Sequence, residues 1–152
     1  MDLNNVVAKL NFISSSVKVL KVECQMTGID ETSKIECAMD IKYSKPTIRG
    51  GMKIGKLLMI VNVSVKPEGA DSSGDTIEMD VEGLFSSSED TSDEEFLYLI
   101  NVNGGAALYS IARSKLEIVS SLVYDKGKIV LPMINMIQFF EERKNKNSIT
   151  PS

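Results

Sequence analysis

Apolar residues keep two different periods along this chain, and the point where one gives way to the other divides it. In KIECAMDIKYSK, residues 34–45, Ile35, Cys37, Met39, Ile41 and Tyr43 alternate with Glu36, Ala38, Asp40 and Lys42. A period of two with one polar side predicts a strand buried on one face. The same period runs through Leu20, Val22, Cys24 and Met26, and through Leu57, Met59, Val61, Val63 and Val65. It recurs in Ile77, Met79 and Val81, which stand opposite Glu78, Asp80 and Glu82. Leu58 and Ile60 begin the other face of the third segment, so some cover is expected there too. The connectors GIDETS, KPTIRGG and PEGADSSGD are built from turn residues. Four strands with no helix between them predict an antiparallel sheet over residues 15–86.

After FSSSEDTSDEE the period becomes helical. Ser92 and Glu95 stand at the spacing of a capping box. EEFLYLINV predicts a short helix and Asn103-Gly104-Gly105 a break after it. Leu108, Ile111, Ala112, Leu116, Val119 and Val123 then recur at three- and four-residue steps, an amphipathic helix with Gly127 as its stop. Pro132 predicts the start of a last helix carrying Ile134, Ile137, Gln138 and Phe140. The helices are placed within residues 92–142, and 143–152 are expected to fray as a polar tail. The chain reads as a single α+β domain over residues 1–152: a four-stranded antiparallel sheet followed by two or three helices.

Composition then excludes function classes. A chain of 152 residues can bury a real core. A net charge of -4 argues against nucleic acid as a partner. The chain has no histidine, which excludes His-based triads and His-ligated zinc. Cys24 and Cys37 cannot form a four-cysteine metal site, and each lies on an apolar strand face. They are expected as buried, reduced thiols of a cytoplasmic protein. The amino terminus lacks the pattern of a signal peptide, and LLMIVNVSV is too short to span a bilayer as a helix. Gly50, Gly55 and Lys56 have the spacing of a phosphate-binding loop. However, Leu57 replaces the required hydroxyl, and a strand follows where a helix is needed. No nucleophile–base pair emerges, so no enzyme, no catalytic residue and no cofactor are expected. Two features remain. The 8 methionines suit either a core or an adaptable apolar surface. The row Glu78, Asp80 and Glu82 suits either a solvated sheet face or a docking surface for a basic partner.

Several strings, in order and spacing, resemble the protein-export chaperone SecB and its family. Glu78-Met79-Asp80-Val81-Glu82-Gly83-Leu84-Phe85 is similar to the end of the family's fourth strand. Ile111-Ala112-Arg113 leading to Ile118-Val119-Ser120-Ser121-Leu122 is similar to its long helix. Leu131-Pro132-Met133-Ile134-Asn135-Met136 is similar to the segment that opens its last helix. Departures are Met133 for a second proline, Met136 for phenylalanine, Thr76 for leucine, and Ala-Ala-Leu after the glycine pair. The net basic tail is also unlike the one with which typical members engage the motor ATPase SecA. The resemblance implies a nucleotide-independent holding chaperone. It would bind unfolded polypeptides or preproteins in apolar grooves and keep them export- or folding-competent. It also implies a homotetramer, a dimer of dimers, with strand one near the sheet edge. Client contacts would fall to Met79, Val81, Leu84, Phe85, Phe96 and Tyr98. Docking of SecA would fall to Glu78, with Asp80 and Glu82 beside it. The alternative on the same scaffold is a dedicated module controlling an antitoxin or another single client.

Overall fold

Five antiparallel strands form one sheet in a computed structural model that describes residues 9–69 and 74–148. They are β1 (Asn11–Glu23), β2 (Lys34–Tyr43), β3 (Thr47–Arg49), β4 (Met52–Lys66) and β5 (Asp75–Ser88). The sheet order is β1-β5-β4-β2, with β3 pairing β4 beyond the end of β2. Alternation placed the side chains correctly. Ile35, Cys37, Met39, Ile41 and Tyr43 pair with Val65, Val63, Val61, Met59 and Leu57, all on the inner face. The short β3 is an addition to the expected four strands. It forms a hairpin with β4 through Gly50 and Gly51, at φ +58° and +73°. Two consecutive positive φ values suit the twist of a tight hairpin, and glycine reaches them without strain.

The order is not sequential, because β1 and β2 occupy opposite edges. Residues 24–33 must therefore cross one end of the sheet. They are fastened to the segment that follows the long helix, by Ile29 N–H to the Lys126 carbonyl and Asp125 N–H to the Thr27 carbonyl, both 2.8 Å. Asp75, at the start of β5, anchors the same corner. Its carboxylate accepts from Gln25 N–H (2.7 Å), Met26 N–H (3.2 Å), the Cys24 thiol (3.2 Å) and the Tyr124 hydroxyl (3.1 Å). Burial alone would raise the Asp75 pKa. The hydrogen bonds from Gln25, Cys24, Met26 and Tyr124 outweigh it and hold the carboxyl below its ordinary value.

Three helices follow: α1 (Asp93–Leu99), α2 (Gly105–Val123) and α3 (Met136–Ser148). Ser92 caps α1, its hydroxyl accepting from Glu95 N–H at 3.1 Å. The expected break at Asn103-Gly104-Gly105 is absent. A π-turn over Ile100–Gly104 joins α1 to α2 without interruption. The glycines serve close approach instead. A Cβ on Gly104 would sit 3.1 Å from the Phe85 ring, and one on Gly105 2.5 Å from the Met136 methyl. The last helix starts later than Pro132. Asn135 caps it, its Oδ1 accepting from Ile137 N–H (3.0 Å) and Gln138 N–H (3.2 Å). It also runs further than expected, through Ser148, so most of the proposed fraying tail is helical; residues 149–152 lie outside the described residues.

The core lies between the inner faces of β4 and β5 and the buried stripe Leu108, Ala112, Leu116 and Ser120 of α2. Cover is centred on those two strands. Edge strands β1 and β2 extend past it, so both cysteines are exposed and not buried as expected.

Candidate functional site

The partly covered inner face of β2 forms one wall of an apolar groove of about 200 Å³. Cys37 and Met39 contribute from β2 and Val61 from β4. Tyr109 of α2, Leu131 and Ile134 of the return segment, and Phe139 of α3 line the rest. Period two aims Cys37 and Met39 inward, but the helices cover them only in part, because β2 is the outermost strand. The opposite wall is irregular chain held rigidly. The Tyr109 hydroxyl donates to the Pro132 carbonyl at 2.6 Å, and Arg113 Nε–H donates to the Leu131 carbonyl at 2.7 Å. Upstream, the fully buried Ser120 hydroxyl accepts from Ile129 N–H at 2.8 Å, and Lys128 pairs with Glu117. Four side chains of α2, Tyr109, Arg113, Glu117 and Ser120, thus hold the return segment along a strand edge.

The groove is chemically quiet. Desolvation by the groove walls pushes the Cys37 thiol up, although the residue as a whole is exposed, and the protonated thiol behaves as a small apolar group. Burial, with Cys37 nearby, also pushes the Tyr109 hydroxyl up, while Arg113 pulls the other way. A second apolar pocket of about 290 Å³ lies further along the same edge, between Tyr43 and Pro46 and the α1 residues Phe96 and Leu97. Both pockets are lined mainly by apolar side chains.

A different apolar surface occupies the far side of the molecule. On β1 the inner-face residues Phe12, Val17, Leu20 and Val22 remain 36–48% exposed, because α2 does not reach them. At 100° per residue, Ile111, Ile118 and Leu122 lie on the flank of α2 away from Arg113 and Glu117, and so toward β1. Leu122 is 81% exposed and Ile118 61%.

The acidic row lies on the outer sheet face as expected, but it is not a bare acidic surface. Lys21 stands 3.8 Å from Glu78, while Lys18 and Lys56 stand 3.6 and 3.4 Å from Glu82. Asp80 lies between them with Oδ1 buried and unpaired. Burial and the neighbouring Glu78 push its carboxyl up, against Lys42 and Lys21. The row is one half of a mixed-charge ladder.

Four of the six residues expected to touch clients lie in the core. Met79, Val81, Phe85 and Phe96 are at most 1% exposed: alternation turns the three β5 residues inward beneath the helices, and Phe96 points from α1 down onto β4 at Gly55. In this conformation they offer a client no surface. Leu84 sits half-buried on the outer face. Tyr98 is exposed on α1, in edge contact with Phe140 at 5.9 Å. The groove residues Met39, Tyr109, Leu131, Ile134 and Phe139 were not singled out. Their signal in the chain was the full apolar face of residues 35–43 combined with an apolar return segment.

No family model matches the chain, and no curated protein matches it. Among solved structures it is similar to the SecB-like chaperone Rv1957 of Mycobacterium tuberculosis, solved in complex with a ChAD peptide from the Rv1956 HigA1 antitoxin. The TM-score is 0.67 at 11% identity, over 83% of this chain and 91% of that one. At that identity the likeness is one of fold, and the fold of this chain is that of a SecB-like chaperone.

Proposed function

We propose that the protein is a nucleotide-independent holding chaperone that binds unfolded polypeptide in the groove along β2. The observation that carries this reading is the apolar inner face of an edge strand left open beside a pinned return segment. A holdase needs adaptable apolar area on a charged scaffold and no chemistry. Met39 and the apolar side chains around it fit that need. The uncovered face of β1 and the outer flank of α2 support assembly with further copies, as in a tetramer built from dimers. SecA is the less favoured partner, since lysines already neutralise much of the row expected to dock it. The likeness to a chaperone solved with an antitoxin peptide favours a second reading, a dedicated chaperone for one such client.

The test mixes the purified protein with an aggregating unfolded substrate, without nucleotide, and follows light scattering. Suppression at a stoichiometric amount of protein supports the reading, and its absence overturns it. Pull-down from the native host separates the two client modes: many clients mark the general holdase, one stoichiometric partner the dedicated one.

A further inference from the structure

The groove is interrupted at Ile41, and the interruption is built from side chains. Residues on an edge strand alternate between bonding their neighbour and pointing both backbone groups outward. At Ile41 the outward N–H is taken by Asp40 Oδ1 at 2.8 Å, and the carbonyl accepts from Arg143 of α3 at 2.6 Å. Arg143 also pairs with Asp40 at 3.1 Å, closing a three-residue clasp. Among the described residues nothing takes the corresponding groups of Cys37 or Met39. The clasp falls between the two apolar pockets of this edge. One is lined by Cys37 and Met39, the other by Tyr43 and Pro46. Phe139, one turn before Arg143 on the same helix face, closes the first pocket on that side.

We propose that Asp40 and Arg143 form a latch that divides the client groove into two short pockets, and that a long extended apolar segment opens it. This inference rests on the chaperone reading above. Latched, each pocket takes only a few residues. Unlatched, the edge from Cys37 to Pro46 becomes one track of about 30 Å at the strand rise of about 3.3 Å per residue. The latch therefore sets preference by client length. Its ionic component makes that preference sensitive to salt, because the pair is partly exposed to solvent.

Two fluorescent peptides with alternating apolar and polar residues, one of six residues and one of fourteen, serve as probes in anisotropy titrations at 50 and 500 mM NaCl. Asp40→Asn keeps an acceptor for Ile41 N–H and removes the charge that holds Arg143. Arg143→Gln removes the other half, and circular dichroism confirms that both variants fold. Both are expected to bind the longer peptide about two- to five-fold tighter than wild type at low salt, the range for a partly exposed ion pair. That gain should shrink at high salt, and six-residue binding should not change. Unchanged binding of the longer peptide in both variants overturns the latch. Equal tightening for both lengths overturns its role as a divider. Binding of neither peptide by wild type overturns the groove reading itself, and the latch with it.

Discussion

Removing the Asp75 carboxylate should loosen the corner where β1, β5 and the end of α2 meet. Asp75 is 3% exposed and accepts four donors. In Asp75→Ala these donors fare differently. Gln25 and Cys24 lie at an exposed strand end, so their groups can turn to water. Tyr124 is 3% exposed, and its hydroxyl is left buried without an acceptor. Leaving one buried donor unsatisfied costs about 1–3 kcal/mol, and losing the charged bonds at the strand end adds about 1 kcal/mol. The expected loss is about 2–4 kcal/mol, read from urea unfolding at pH 7 and fixed protomer concentration. Tyr124→Phe alone should cost about 1 kcal/mol. In that background Asp75→Ala should cost at least about 1 kcal/mol less than in wild type, because the orphaned hydroxyl is gone. The pH dependence has a definite sign. The folded carboxyl titrates below its unfolded value of about 3.9, so its contribution is present above that pH and is lost as pH falls through the folded value. The difference between wild type and Asp75→Ala should therefore be constant from pH 5 to 7 and shrink below about pH 4. A loss under about 0.5 kcal/mol at pH 7, or strict additivity with Tyr124→Phe, would refute the argument.

Other sites give sharper local outcomes. Gly55→Ala places a methyl 2.6 Å from the buried Phe96 ring and should destabilise by about 1–3 kcal/mol, seen as a lower Tm. Met39→Glu puts a charge into the groove, so it should abolish suppression of aggregation by light scattering, with a modest fall in Tm because Met39 also packs against the core. On the proposed tetramer reading, Leu122→Glu, on the 81% exposed flank of α2, should sediment as a smaller species than wild type with an unchanged circular dichroism spectrum; equal sedimentation of the two would refute a role of this flank in assembly.

Local patterns made much of the fold legible. Alternation assigned the inner faces of β2, β4 and β5, and Ser92 was recognisable as the cap of the first helix. Two misreadings share one cause, a local rule overridden by packing. The glycine pair at 104–105 looked like a breaker, yet it continues the helix because Phe85 and Met136 need the space of a side chain there. The polar segment beyond residue 142 looked like a frayed end, yet Phe140 and Arg143 fasten it to Tyr98 and to β2.

The site was less legible because function depends on exposure, and exposure depends on strand order. The alternating stretch at 35–43 and the one at 77–81 are equivalent in the chain. One became an edge and the other a centre only when residues 24–33 carried the chain across the sheet. Met79 and Met39 are thus the same residue type in the same pattern, one sealed under α2 and the other lining a groove. By itself the sequence determined which side chains share a face and where the first helix is capped, because these follow from periods and residue types within a few neighbours. Only the tertiary structure decided which apolar faces stay open, that lysines flank the acidic row, and that Arg143 meets Asp40 across about a hundred residues of chain. Those outcomes depend on the order in which strands pair, which no local spacing encodes.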